Sequence, residues 1–196
     1  MRERPSRLLA LAAVVAAAAV TAFVAVPGAG TAGADAAKAR RVAVQAREVL
    51  LERTRLEIRR ERNEAWRWLA VMSAPPTPYA SLAERTRSLR DNLRLLRLWT
   101  RRAAHARWLA HHPPRLRAWL CIHRYEGAWN DPNPPYYGGL QMDLAFMRAY
   151  GAGLLRRKGT ADHWTPLEQM WVAERAYRSG RGFSPWPNTA RWCGLI

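Results

Sequence analysis

The 196-residue chain holds only two cysteines, Cys121 and Cys193, and sets 15 acidic side chains against 32 basic ones. It has no internal repeat and, outside an alanine-rich amino end, no low-complexity stretch. His123 has no second histidine, cysteine or carboxylate at metal-ligand spacing, so no metal site is expected. No serine or cysteine stands in a nucleophile motif, and no glycine-rich loop is placed to cradle a phosphate. No cofactor is therefore expected.

What is present begins with export. Arg2, Arg4 and Arg7 precede an apolar run from Leu8 to Val26, and Pro27, Gly28 and small residues follow, which is the order of a secretory signal. Ala32-Gly33-Ala34 suits a signal peptidase, so residues 1–34 read as a signal peptide and Asp35 as the new amino terminus. A run of about 19 apolar residues is also long enough to span a bilayer, and an uncleaved membrane anchor through residues 8–26 is the competing reading. In either case the body faces outward, as a secreted or wall-associated protein. In that oxidising setting the two cysteines are expected to pair, adding about 4 kcal/mol by the chain-entropy model.

The basic excess is unevenly spread: residues 35–112 carry 18 basic and 8 acidic side chains, and residues 113–196 carry 11 and 6. The polyanions within reach of an exported protein are wall polymers, phosphate-bearing glycans and anionic lipid, and a field of this sign concentrates the chain on them. Nucleic acid is not expected as a partner.

Residues 38–72 read as a helix, rich in Ala, Arg, Leu and Glu, free of Gly and Pro, with i,i+3 pairs Glu52/Arg55, Glu57/Arg60 and Glu64/Arg67. Ala74-Pro75-Pro76-Thr77-Pro78 ends it. A second helix opens on a capping box at Ser81 and Glu84 and carries Leu82, Leu89, Leu93, Leu96, Thr100, Ala103 and Ala110 at heptad-like spacing. Together they suggest a basic helical hairpin or stalk over residues 35–112, with partner binding through the hairpin as the alternative. His111-His112-Pro113-Pro114 closes that segment and opens a domain over residues 113–196, which holds six of the ten tryptophans. Within it a short helix is expected from Pro114 to Glu126, stopped by Gly127, and a second from a cap at Asp143 to Gly151. A third follows Thr165-Pro166-Leu167-Glu168 as far as Ser179. The expected fold class is mainly α.

Glu126 stands in the last turn of the first of these helices, just before a chain reversal. The partially negative helix end and nearby aromatic surface both favour the acid form of a carboxyl group so placed. A protonated carboxyl is what glycosidic cleavage needs, because the leaving oxygen must receive a proton. A glutamate near a helix end is more often a solvated surface group, and position alone does not decide between the two.

The segments Tyr136-Tyr137-Gly138-Gly139-Leu140-Gln141, Gln169-Met170-Trp171-Val172-Ala173-Glu174-Arg175-Ala176 and Trp186-Pro187, taken in order after Glu126-Gly127-Ala128-Trp129-Asn130, resemble the resuscitation-promoting-factor and transglycosylase-like group of the lysozyme superfamily. The resemblance covers about residues 115–194. It implies a small lysozyme-like α domain that cleaves the glycan strands of peptidoglycan, with Glu126 as catalytic acid, Tyr137, Gln141 and Gln169 lining the cleft, and Cys121 paired with Cys193. Trp129 and Tyr136 join the expected cleft as aromatic surfaces for pyranose rings, while Trp119 and Trp171 are expected in the core. There are departures from the family pattern. Tyr125 occupies the place of the family's first cysteine, which here sits one helical turn earlier at Cys121. Met142 and Asp143 follow Leu140-Gln141 where an aromatic and a small hydroxyl residue are usual.

Glycoside hydrolysis ordinarily uses two carboxyl groups. Among Asp131, Asp143, Glu168 and Glu174, the middle two read as helix caps and the last lies in mid-helix. Asp131 alone has reach, and its alternative reading is a turn residue before Pro132. A single glutamate suits lytic transglycosylation, which the resemblance implies; hydrolysis stays open. Two further readings stand beside the enzyme: a non-catalytic wall-glycan-binding module, and a helical interaction protein.

Overall fold

The computed structural model describes residues 31–76 and 88–196. The expected signal segment, with its apolar run Leu8–Val26, and the capping box at Ser81 and Glu84 with Leu82 lie outside the described residues. Among the described residues the chain is mainly helical with no strand, and no helix is long and apolar enough to cross a membrane. The chain divides into two compact units, Met1–Glu48 and Val49–Ile196. In the first, the described residues belong to the start of helix α1, Thr31–Val71, and residues 33–48 are all exposed.

The second unit contains the rest of α1, then α2 (Leu89–His111), α3 (Leu116–Glu126), α4 (Leu144–Lys158), a 3-10 turn (Ala161–His163), α5 (Pro166–Ala176), a π turn (Tyr177–Arg181) and α6 (Pro187–Trp192). Between α1 and α2 a small core gathers Ile58, Ala65, Leu95, Leu96, Trp99 and Ala103, with Trp66 edge-on to Trp99 at 6.3 Å. Of the expected intrahelical pairs, Glu64–Arg67 closes at 2.7 Å and Glu52–Arg55 is also formed. The buried face of α2 runs through Asn92, Leu96, Trp99, Ala103, Ala106 and Ala110. Leu89, Leu93 and Thr100 are only half-buried: the heptad row Leu96, Ala103 and Ala110 is buried as expected, but the row that flanks it is Asn92, Trp99 and Ala106 on its other side.

The direction of α1 and α2 corrects the hairpin expectation. Ser73 Oγ, just past the end of α1, accepts from Arg175 Nη1 at 2.8 Å, and Ala110 O, at the end of α2, accepts from Trp171 Nε1 at 2.8 Å. Trp171 and Arg175 lie one turn apart on α5. Trp68 and His111 also meet, with ring centroids 5.0 Å apart. Both helices therefore bring their carboxyl ends to the same place and run in the same sense, whereas an antiparallel pair would separate those ends by the length of α2. The connection from Val71 to Leu89 is longer than that of a tight αα-hairpin and permits either sense, so the contacts of both carboxyl ends with α5 decide it. The same contacts bridge the compositional boundary at Pro113.

α5 is the central helix of the residues that follow. Every side chain from Glu168 to Glu174 is buried, so it meets neighbours all round. Its capping box forms as expected: Glu168 N donates to Thr165 Oγ1 and Thr165 N to Glu168 Oε2 at 2.8 Å. The α-helical geometry ends at Ala176 and the π turn carries the chain to Arg181. Glu174 is fully buried yet satisfied: Oε1 accepts from Arg115 N and Trp119 Nε1 at 2.9 Å each, and Oε2 from Arg115 Nη1 at 2.8 Å. This carboxylate ties the start of α3 to α5.

Asp143 caps α4 as expected, accepting from Phe146 N at 2.6 Å, and the helical geometry breaks at Gly151 as expected, with φ −130° and ψ 19°. A second helical stretch runs on from this kink to Lys158. A Cβ at Gly151 would lie 2.6 Å from the ring of Trp164, so the glycine is there to let α4 pass that buried indole. Cys121 and Cys193 form a disulfide that joins α3 to the end of α6. Trp119 and Trp171 are buried, as expected.

Candidate active site

α3 ends on Glu126 because Gly127 supplies a backbone of φ 151°, which a side chain would strain. α6 lies against that end. Its Thr189, 5% exposed, donates from Oγ1 to Glu126 Oε1 at 2.7 Å. The same hydroxyl lies 3.4 Å from Trp186 O. A hydroxyl can donate to a carboxylate or accept from a carboxylic acid, and in the second case its own proton turns to the carbonyl. Thr189 can thus hold Glu126 in either protonation state. Nothing local in the sequence points to it, since it stands 63 residues from its partner.

The loop after Gly127 is built by its own polar groups. Gly138 N donates to Asp131 O at 2.8 Å, and Tyr137 and Met142 exchange a pair of backbone hydrogen bonds at 3.0 and 2.9 Å. The turn between them needs both glycines. Gly138 has φ +72°, and its Cβ would lie 2.6 Å from Gln169 Oε1; a Cβ on Gly139 would lie 2.6 Å from His123 Nδ1 and 2.8 Å from Trp129. His123 and Trp129 stack with centroids 3.9 Å apart, and His123 Nδ1 lies 3.2 Å from Gly139 O. His123 thus serves as part of the loop's support.

Asp131 is the hub of this loop. Its Oδ2 accepts from Gln141 Nε2 at 2.9 Å, while Oδ1 accepts from Asn133 N at 3.2 Å and Asn133 Nδ2 at 2.5 Å. The Gln141 amide first, then Asn133, hold its carboxyl below the usual aspartate range. An acid so held is a weak base and a firm turn residue. Gln141 Nε2 also donates to Gly138 O at 3.1 Å, so both of its amide hydrogens are engaged and its Oε1 is what it can offer a ligand.

A cavity of about 430 Å³ opens beside the loop, with Tyr136, Gln141, Met142, Phe146, Arg181 and Trp186 in its wall. Trp186 is fixed by its indole N–H donating to Leu140 O at 2.7 Å. Glu126 is outside this wall but joined to it twice. The Cβ position of Gly127 lies 3.3 Å from Gln141 Nε2 and 3.5 Å from Asp131 Oδ2, and Thr189 lies between Glu126 and Trp186.

Among the residues expected in a cleft, Tyr136 is half exposed in the cavity wall and Gln141 lines the same wall. Trp129 and Tyr137 are half-buried and pack against the core on the inner side of the loop. Gln169 has no exposed surface. Its Nε2 donates to the carbonyls of Trp129, Ala161 and Trp164 at 2.7, 2.8 and 3.1 Å, so it supports the loop from beneath instead of facing a ligand. Sequence reading could not distinguish these two places, since a glutamine in a helix suits either. Arg181, in the cavity wall, was missed because an arginine in a run of Arg178, Ser179 and Gly180 carries no local signal. Compared with protein-family models, curated proteins and solved structures, the chain matches none.

Proposed function

We propose that this chain is an exported, lysozyme-like enzyme that cleaves the glycan strands of peptidoglycan by lytic transglycosylation, with Glu126 as its single catalytic acid. The observation that carries the reading is the hydrogen bond from buried Thr189 to Glu126 at 2.7 Å, made beside a cavity walled by Tyr136, Gln141 and Trp186. Substrate contacts fall to Tyr136 and Gln141, with Trp129, Tyr137 and Gln169 shaping the loop that carries them.

In this reading Glu126, as the acid, gives its proton to the glycosidic oxygen while the bond from that oxygen to C1 of the N-acetylmuramyl residue breaks. The leaving strand departs with a hydroxyl group. The Glu126 carboxylate then takes the proton of the muramyl 6-hydroxyl, whose oxygen bonds to C1, closing a 1,6-anhydro ring and restoring the acid. No water is consumed and no second carboxylate is required. Asp131, engaged by Gln141 and Asn133, belongs to the loop and not to proton transfer. The disulfide supports an oxidising, extracellular setting, and the basic residues support retention on anionic wall polymers.

The test is mass spectrometry of soluble products released from purified peptidoglycan by the disulfide-intact protein and by Glu126→Gln. Gln keeps an acceptor for Thr189 and removes the proton donor. Anhydro-ended muropeptides from the parent and none from the variant are expected. Reducing ends in their place indicate hydrolysis by the same acid. No products from either folded protein overturns the enzymatic reading in favour of a wall-binding module.

A further inference from the structure

Beside Glu126 lies a feature that the proposed chemistry does not use. Tyr125 precedes Glu126 on α3, and Trp192 precedes Cys193 on α6. Their rings meet edge to face, 5.4 Å between centroids and 63° between planes, yet Tyr125 is 49% and Trp192 64% exposed. The two exposed rings in mutual contact form a small aromatic surface next to Glu126. Three connections hold them in place. The disulfide joins the two helices at Cys121 and Cys193, Thr189 joins Glu126, and Trp192 lies three residues beyond Thr189 on the same face of α6. Tyr125 and Glu126 are neighbours on α3, and Thr189 and Trp192 are three residues apart on α6, so the aromatic pair adjoins the Thr189–Glu126 contact.

We infer that Tyr125 and Trp192 form a carbohydrate platform, on which a pyranose ring of a β-linked amino-sugar strand stacks while the strand passes Glu126. The proposal rests on the reading of the neighbouring site as a glycan site. A perpendicular pair leaves one ring face open and props it with the other ring's edge, which is the rigidity a stacking surface needs. A strand that stacks on the pair therefore runs beside Glu126. Exposed Arg124 and Arg191, next in sequence to the two aromatics, add positive charge at the rim, which suits a strand bearing carboxylates on its lactyl and peptide groups. A second copy of the chain is the competing occupant of exposed aromatics, and the test separates the two.

Binding of chitohexaose and of purified insoluble peptidoglycan is measured on the full chain carrying Glu126→Gln, so that no strand is consumed. Adding Trp192→Ala is expected to weaken chitohexaose binding about tenfold, as for an aromatic anchor, Tyr125→Ala less, and Trp192→Phe to restore most of the loss. Retention of the disulfide by intact mass and an unchanged far-ultraviolet spectrum establish folding. Affinity within about twofold of the parent in both alanine variants overturns the platform. So does a change confined to sedimentation behaviour, which assigns the pair to self-association. A platform-dependent affinity in a protein that releases no muropeptides leaves this inference standing and removes only the catalytic one.

Discussion

The turn that places Gln141 beside Gly127 depends on how closely the backbone can approach Gln169, and Gly138→Ala tests that dependence. Two costs add. The backbone at φ +72° disfavours any L side chain by about 1–2 kcal/mol. The new Cβ also meets Gln169 at 2.6 Å from Oε1 and 2.9 Å from both Cδ and Nε2. That amide cannot simply swing away, since its Nε2 is held by three carbonyls and its surface is fully buried. Overpacking of this kind costs about 1–3 kcal/mol, so the variant should lose roughly 2–5 kcal/mol. Gly180→Ala is the matched control: φ is +97° but nothing lies within 4 Å of its Cβ position, leaving only the backbone cost. Urea unfolding of the oxidised protein, followed by tryptophan fluorescence, gives both values from midpoints at a common slope. In the double variant Gly138→Ala with Gln169→Ala the steric part should be relieved, giving a favourable coupling of about 1 kcal/mol or more. Equal losses for Gly138→Ala and Gly180→Ala, with no coupling to Gln169, would falsify the argument that the amide beneath the turn dictates glycine.

Two further predictions concern the frame around the site. Reducing the Cys121–Cys193 disulfide, which spans 72 residues, should lower stability by about 4 kcal/mol and shift the urea midpoint accordingly; an unchanged midpoint would show that packing alone holds α6 to α3. At Glu168 burial favours the neutral form, but Lys158 and the amide and hydroxyl of Thr165 outweigh it and hold the carboxyl below its ordinary range. The folded group thus binds a proton less readily than the unfolded one, so its stabilisation is complete above the ordinary glutamate value near 4.5 and is lost as pH falls through the lower folded value. Thermal melts between neutral pH and pH 3 should decline less steeply for Glu168→Gln, and parallel curves would count against the assignment.

Local features of the chain were legible where one residue type has one physical use. Asp143 and the Thr165–Glu168 pair are helix caps because short polar side chains reach the free amides of a first turn. Gly127 ends α3 for the matching reason at the other terminus. The pairing of Cys121 with Cys193 followed from there being two cysteines in a chain whose amino end reads as an export signal. Gly151 breaks α4 as expected, but that it also clears the ring of Trp164 was not legible, because that partner lies outside the helix. Gln169 and Thr189 were opaque for the same reason: a glutamine or a threonine in a helix suits the surface, the core or a site equally well.

The sequence by itself determined that this chain is mainly helical, where its caps and breaks fall, and which carboxylate stands at a helix end before a glycine. These depend on bonds between residues a few positions apart, and such bonds are written in spacing. Tertiary structure alone decided that α1 and α2 run in the same sense, that Asp131 is committed to its loop, and that Thr189 reaches Glu126 and Trp192 reaches Tyr125. Those contacts join segments tens of residues apart, and only the packing of the whole core sets which of many chemically suitable partners meet.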